Sequence, residues 1–205
     1  MNNQHDDGVI KFKFNLKLTK ALNEELYIQL EKWRVIFHKM GLIGEYPTNK
    51  VGYGNLSKRE VSGSDAFIIT GTQTGKYANL NGSYYTKITK CDLQKMSLEA
   101  HGPIAPSSES LTHYGIYKNF SHINFVFHVH HEKLWKYMLA NEYDRTPQDT
   151  PYGTQEMANQ VKICIGHKEQ GILAMAGHTD GVISYGKNAE QAGQILLETL
   201  KKTRT

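Results

Sequence analysis

Apolar residues recur along this chain with two different periods, and the switches between them lay out its elements. Ile10, Phe12, Phe14, Leu16 and Leu18 alternate with Lys11, Lys13, Asn15 and Lys17. A strict period of two predicts a strand with one wet face. Thr19 offers an N-cap to a helix over Asn23 to Met40, where Leu22, Leu26, Leu30, Trp33 and Phe37 fall at helical spacing and Gly41 supplies the stop. Gly52 to Ser57 reads as a Gly-rich turn. Ala66 to Thr70 reads as a short strand entering a small-residue loop, Gly71 to Gly75, and Tyr84 to Ile88 as another strand. Thr89 to Met96 reads as a short turn of helix.

Beyond Pro106, Ser107 and Ser108 can cap a helix from Glu109 to Phe120. Asn124 to His131 is an apolar, β-branched and aromatic run, the signature of a buried strand. A helix begins near Glu132 and carries Leu134, Trp135, Met138 and Leu139. After a Pro-containing loop from Thr146 to Gly153, Thr154 starts a helix with Met157, Val161 and Ile165 on one side. Ile172 to Met175 and Gly181 to Tyr185 read as paired strands. Asn188 begins a last helix, through Lys202, with Ala189, Ala192, Ile195, Leu196 and Leu200 turned inward. The expectation is one α/β domain over residues 1–205, with residues 1–8 a frayed polar tail and no internal repeat or linker.

Composition narrows the class. With 39% hydrophobic and 21% charged residues among 205, the chain is an ordinary globular protein able to fill one core. No apolar run reaches the roughly 20 residues of a membrane span. The polar, acidic start predicts no secretory leader. The net charge of +4 comes from scattered Lys and Arg, a pattern that does not suggest nucleic-acid binding. Cys91 and Cys164 lack CxxC spacing, so a reducing, cytoplasmic setting fits better than a disulfide framework.

Candidate chemistry concentrates in the run ending His128-Val129-His130-His131. On a strand His128 and His130 share a face while Val129 points away. Two imidazoles side by side supply half of a metal site; the alternative is one His at the strand end and the rest solvated. Further donors must come from elsewhere. Glu109, at a helix start behind two serines, is either a further donor held by helix-terminus N–H groups or a plain first-turn acid. In Gly177-His178-Thr179-Asp180-Gly181 the flanking glycines let either His178 or Asp180 aim inward. Gly71-Thr72-Gln73-Thr74-Gly75-Lys76-Tyr77 is one residue too short for a GxxxxGK[ST] phosphate loop, and Tyr77 stands where Ser or Thr should bind magnesium. Nucleotide hydrolysis is therefore rejected, although such a loop can still offer donors to an anion.

Taken in order, these segments resemble the class II aldolase/adducin family from about Leu26 to Leu200. The matching pieces are Gly54-Asn55-Leu56-Ser57, Phe67-Ile68-Ile69-Thr70, Pro106-Ser107-Ser108-Glu109 with His113 and Tyr117 following, His128-Val129-His130, Tyr152-Gly153-Thr154, and Gly181 through Glu190. The resemblance implies a three-layer αβα fold with a central, mainly antiparallel sheet, and a homotetramer. It also implies a divalent metal (zinc first, then manganese, iron or cobalt) held by three histidines, and aldolase, epimerase or dehydratase activity on a small sugar phosphate or similar compound. Breaking a carbon–carbon bond beside a hydroxyl and a carbonyl leaves an enediolate, whose charge a chelated dication stabilises. Carried over by position, His128 and His130 become ligands and Glu109 the acid/base group. Asn55, Thr72, Ser107 and Ser108 fall where the family binds a substrate phosphate.

Three departures stand out. The family's third ligand is a His directly before Gly; Asp180 stands there, with His178 two residues earlier. His178 is favoured as the third ligand, with Asp180 its partner or an acid/base group. The family's Ser-Gly pair in the phosphate loop is Thr72-Gln73, which adds bulk where backbone should approach a ligand. His131 is an extra histidine, expected to be solvated or to support the ligands. The alternative to a metal-dependent lyase is an adducin-like scaffold without catalysis.

Overall fold

The computed structural model describes residues 8–204. The tail expected over residues 1–8 falls, up to Asp7, outside the described residues, and Gly8 lies in a turn. In chain order the elements are β1 (Lys13–Leu18), α1 (Glu24–Lys39), β2 (Gly44–Glu45), β3 (Gly52–Tyr53), β4 (Asn55–Arg59), β5 (Phe67–Thr70), β6 (Tyr85–Asp92), β7 (Ser97–Gly102), α2 (Ser110–Asn119), β8 (Phe125–His130), α3 (Glu132–Ala140), β9 (Asp144–Arg145), α4 (Gln155–Ile165), β10 (Gly171–Ala174), β11 (Gly181–Gly186) and α5 (Ala189–Lys202). Among the described residues, nine strands form one sheet in the order β1-β7-β6-β5-β4-β8-β11-β10-β9, and β2 and β3 make a separate ribbon. Only the outermost pairs, β1 with β7 and β9 with β10, are parallel.

Helices cover both faces. On one side Leu30, Trp33 and Phe37 of α1, Leu134 and Met138 of α3, and Ala192, Leu196 and Leu200 of α5 pack on Leu56, Phe127, Val129 and Val182. On the other, Leu111, Ile116 and Tyr117 of α2 and Met157, Val161 and Ile165 of α4 pack on Phe67, Ile69, Val126 and Ile183. Each fully buried side chain of this kind contributes about 1.5–3 kcal/mol. Gly193 lets α5 close onto α1, since a Cβ there would sit 2.2 Å from the Trp33 ring.

Several expectations change. Thr89–Met96 is not helical: β6 continues to Asp92, and a turn leads into β7, which the period-two reading passed over. A register shift between Ile88 and Lys90 breaks the alternation that would have exposed the long strand. Gly52 to Ser57 is not a simple turn but parts of β3 and β4 joined at Gly54, whose φ of +79° favours glycine. Thr19 does not cap α1; the N-cap is Asn23, and the Thr19 hydroxyl donates to Lys20 O. The first strand starts only at Lys13 and, as an edge strand, does not bury the predicted apolar face: Phe14 is 39% and Leu18 73% exposed.

Candidate functional site

The central strand β8 is buried along its whole length. Its alternation sends Phe125, Phe127 and Val129 toward α1 and α5, and Val126, His128 and His130 toward the α2 side. Its neighbours fix the surroundings: Asn55 of β4 pairs with His128, and Gly181 of β11 pairs with His130. Beyond Val126 the helical cover gives way to a small cleft of about 30 Å³. His128, His130, His178, Glu109, Asn55, Thr72, Ser107, Ser108 and Tyr152 all line it.

His178 arrives from the turn between β10 and β11. Three backbone bonds knit that turn: His178 N to Met175 O at 3.0 Å, Gly181 N to His178 O at 2.9 Å, and Met175 N to Gly181 O at 2.9 Å. His131 N then donates to Asp180 O at 2.9 Å, tying the turn to the end of β8. A Cβ on Gly181 would lie 2.6 Å from His178 Cδ2 and 3.2 Å from His128 Cε1. Glycine is therefore what allows the two imidazoles to meet. Asp180, at a left-handed φ of +64°, faces another depression, with Trp135, Lys136 and Gln148. The structure thus brings His178, and not Asp180, to the histidine pair.

One potential ligand atom from each of His128, His130 and His178 lies within 4.8 Å of the others, and all three residues are buried. His128 Nδ1 is 3.2 Å from Val182 O. A carbonyl can only accept, so the proton sits on Nδ1 and Nε2 is a bare donor atom. His130 Nδ1 meets the Tyr46 hydroxyl at 2.8 Å, and the two Nε2 atoms face each other at 3.0 Å. Two imidazoles on one tetrahedral ion hold their nitrogens about 3.3 Å apart. Facing lone pairs repel unless a proton or a cation lies between them. The residues present therefore fit a divalent cation, with outer partners already in place on both β8 histidines. Three protein donors rather than four would leave such an ion a further coordination position, as in catalytic zinc sites.

Glu109 is 3% exposed and takes the N-cap position of α2. Thr112 Oγ1 donates to its Oε2 at 2.8 Å, and its Oε1 is 3.8 Å from His178 Nε2. One turn on, His113 Nδ1 and the Tyr117 hydroxyl both bond Ser57 Oγ, at 2.6 and 2.7 Å. Arg59 donates to Tyr117 O and to Phe120 O, the latter at 2.7 Å, closing the C-terminal end of α2. These buried bonds seat α2 over β4 and so place Glu109. Burial, then the positive charge His128 would carry, hold His113 well below the usual imidazole range. Burial, opposed by the bond to Val182 O, brings His128 down to about 4. Both rings are neutral at neutral pH, as a metal ligand must be.

Nothing in the sequence marked Tyr46; its contact to His130 spans 84 positions. His131 is half-buried, and its Nδ1 accepts from Leu134 N and caps α3. Asn55 Oδ1 is buried with no hydrogen-bond partner among the described residues, a polar atom left for a ligand at the cleft.

The family model for the class II aldolase and adducin N-terminal domain matches residues 36–203. The chain belongs to this family. Among solved structures, an L-fuculose 1-phosphate aldolase superposes with a TM-score of 0.67 at 18% identity, over 89% of this chain and 84% of the other. The L-fuculose-1-phosphate aldolase from Thermus thermophilus gives 0.63 at 19%, over 89% and 92%. A sugar-phosphate aldolase from Thermotoga maritima gives 0.65 at 18%, over 88% and 93%. At such identities these likenesses establish the class II aldolase fold. No curated protein matches the sequence. No helix among the described residues is long and apolar enough to cross a membrane.

Proposed function

We propose that this family member is a divalent-metal-dependent lyase of the aldolase type, acting on a small hydroxy-carbonyl compound. The observation that carries the reading is a trio of buried imidazole donors within 4.8 Å, beside a buried carboxylate in one cleft. His128, His130 and His178 would hold the ion, zinc first given an all-imidazole set. When bound, the ion supplies a Lewis acid for the oxygen on which negative charge develops.

The remaining steps belong to the protein. Glu109 takes the proton released as the carbon–carbon bond breaks and returns it to carbon, acting as base and then acid. Its place at the start of α2 and its bond from Thr112 hold one oxygen fixed while the other faces His178. The Ser107 and Ser108 hydroxyls, Thr72 and the Asn55 carboxamide orient the substrate's oxygens. The side chain of Asp180 has no part in this scheme. By family resemblance we also propose a cytoplasmic homotetramer, which size-exclusion chromatography with light scattering would test.

Metal analysis together with Glu109→Gln tests the lyase reading. The purified protein should carry about one zinc or manganese per chain, and the variant should keep the metal while turnover on an identified hydroxy-carbonyl substrate falls about 10²–10⁴-fold. A protein that takes up no metal, or a variant with intact turnover, contradicts the reading.

A further inference from the structure

In the loop Gly71–Gly75 one residue departs from ordinary backbone geometry and sends its side chain across to two other segments. Gln73 has a φ of +56°, a region that side-chain-bearing residues seldom occupy. Its carboxamide reaches back over the cleft: Oε1 accepts from Gly52 N at 2.7 Å, and Nε2 donates to Gly8 O at 3.5 Å. Gly8, Gly52 and Gln73 all line the same cleft as the three histidines. The approach is close, since a Cβ on Gly52 would lie 3.3 Å from both Gln73 Oε1 and Gly75 N. The carboxamide therefore joins two stretches of backbone and occupies the Gly52 N–H, a backbone donor in the cleft lining.

We infer that Gln73 is a specificity-determining residue whose carboxamide oxygen stands in for a ligand's terminal anion, so that the cleft takes a hydroxy-carbonyl compound without a phosphate group. This inference rests on the metal-centred reading above. A phosphorylated compound has to displace the carboxamide, giving up the bond to Gly52, before its own oxygens can be bound. Glycine adopts the left-handed conformation without a Cβ penalty, so Gln73→Gly keeps the loop and frees the donor. Gln73→Glu keeps the size and the acceptor but adds a charge that repels phosphate.

The test is calorimetric titration of zinc-loaded protein with glycolohydroxamate and phosphoglycolohydroxamate, two-oxygen chelators that differ by the phosphate alone. In the wild type the phosphate should change affinity by less than about threefold, whereas in Gln73→Gly it should add about tenfold or more, or about 1.4 kcal/mol. Gln73→Glu should bind the phosphorylated compound more weakly than the wild type does. A wild type that gains tenfold from the phosphate, with Gln73→Gly gaining no more, overturns the assignment of Gln73 while leaving the metal site standing. If zinc loads but neither compound binds, the lyase reading fails and takes this inference with it.

Discussion

Removing one hydroxyl, in Tyr46→Phe, should weaken metal binding about tenfold without unfolding the protein. The hydroxyl lies 2.8 Å from His130 Nδ1 and is the outer partner that orients this ring. Partners of this kind are worth about 10–100-fold in metal affinity. Tyr46 is only partly buried, so water can replace the lost group in part, and the lower end of that range applies. Tenfold corresponds to about 1.4 kcal/mol, in line with a single hydrogen bond to a group that gains charge density on coordination. The phenyl ring keeps the packing on Tyr53, whose ring centroid is 4.6 Å away, so stability of the metal-free form should be unchanged. The assay is competition with a chromophoric chelator, wild type against variant, with urea unfolding of both metal-free proteins as the control. Equal zinc affinities would show that the Tyr46–His130 contact does not support a ligand, and that the fit of this trio to a cation was misjudged.

Other perturbations separate the remaining roles. His178→Ala should lower zinc affinity by about 100-fold or more, as expected for loss of one of three donors, whereas Asp180→Ala should stay within about twofold in the same competition assay; the reverse order would make Asp180 the ligand. Acid should destabilise the metal-free protein. His128 titrates near 4 when folded and near 6.5 when unfolded, so the stability it contributes is full above about pH 6.5 and is lost as pH falls toward 4, by about 3 kcal/mol. His113, shifted in the same direction, adds to the loss. Urea midpoints of chelator-treated protein at pH 7.5 and 4.5 read the effect, and His128→Asn should flatten it; a wild-type midpoint that does not move would contradict neutral burial of these rings. Gly193→Ala should lower the melting temperature markedly, because the added methyl meets the Trp33 ring at 2.2 Å; an unchanged melting curve would show that α5 and α1 can part at little cost.

The legible parts of this molecule were those governed by local periodicity. The alternation in β8 was enough to place His128 and His130 on one face, and helical spacing located α1, α3, α4 and α5 to within a few residues. What failed was local pattern interrupted by tertiary geometry. The bulge near Thr89 hid the length of β6, and the short ribbon strand at Gly52 carried no alternation to recognise. In the segment from Gly177 to Gly181, spacing left both His178 and Asp180 open. The choice depends on a turn closed by backbone bonds and on the missing side chain at Gly181, neither of which periodicity encodes. Tyr46 was invisible for a related reason: a lone tyrosine in a Pro-containing loop gains meaning only when the chain brings it back onto His130.

A crystal grown with excess zinc, with anomalous data collected at the zinc absorption edge, tests the central claim most directly. The account predicts one strong peak per chain, with imidazole nitrogens of His128, His130 and His178 at about 2.0–2.1 Å. An empty pocket with the three rings turned apart, or an ion held by Asp180 in place of His178, would contradict it.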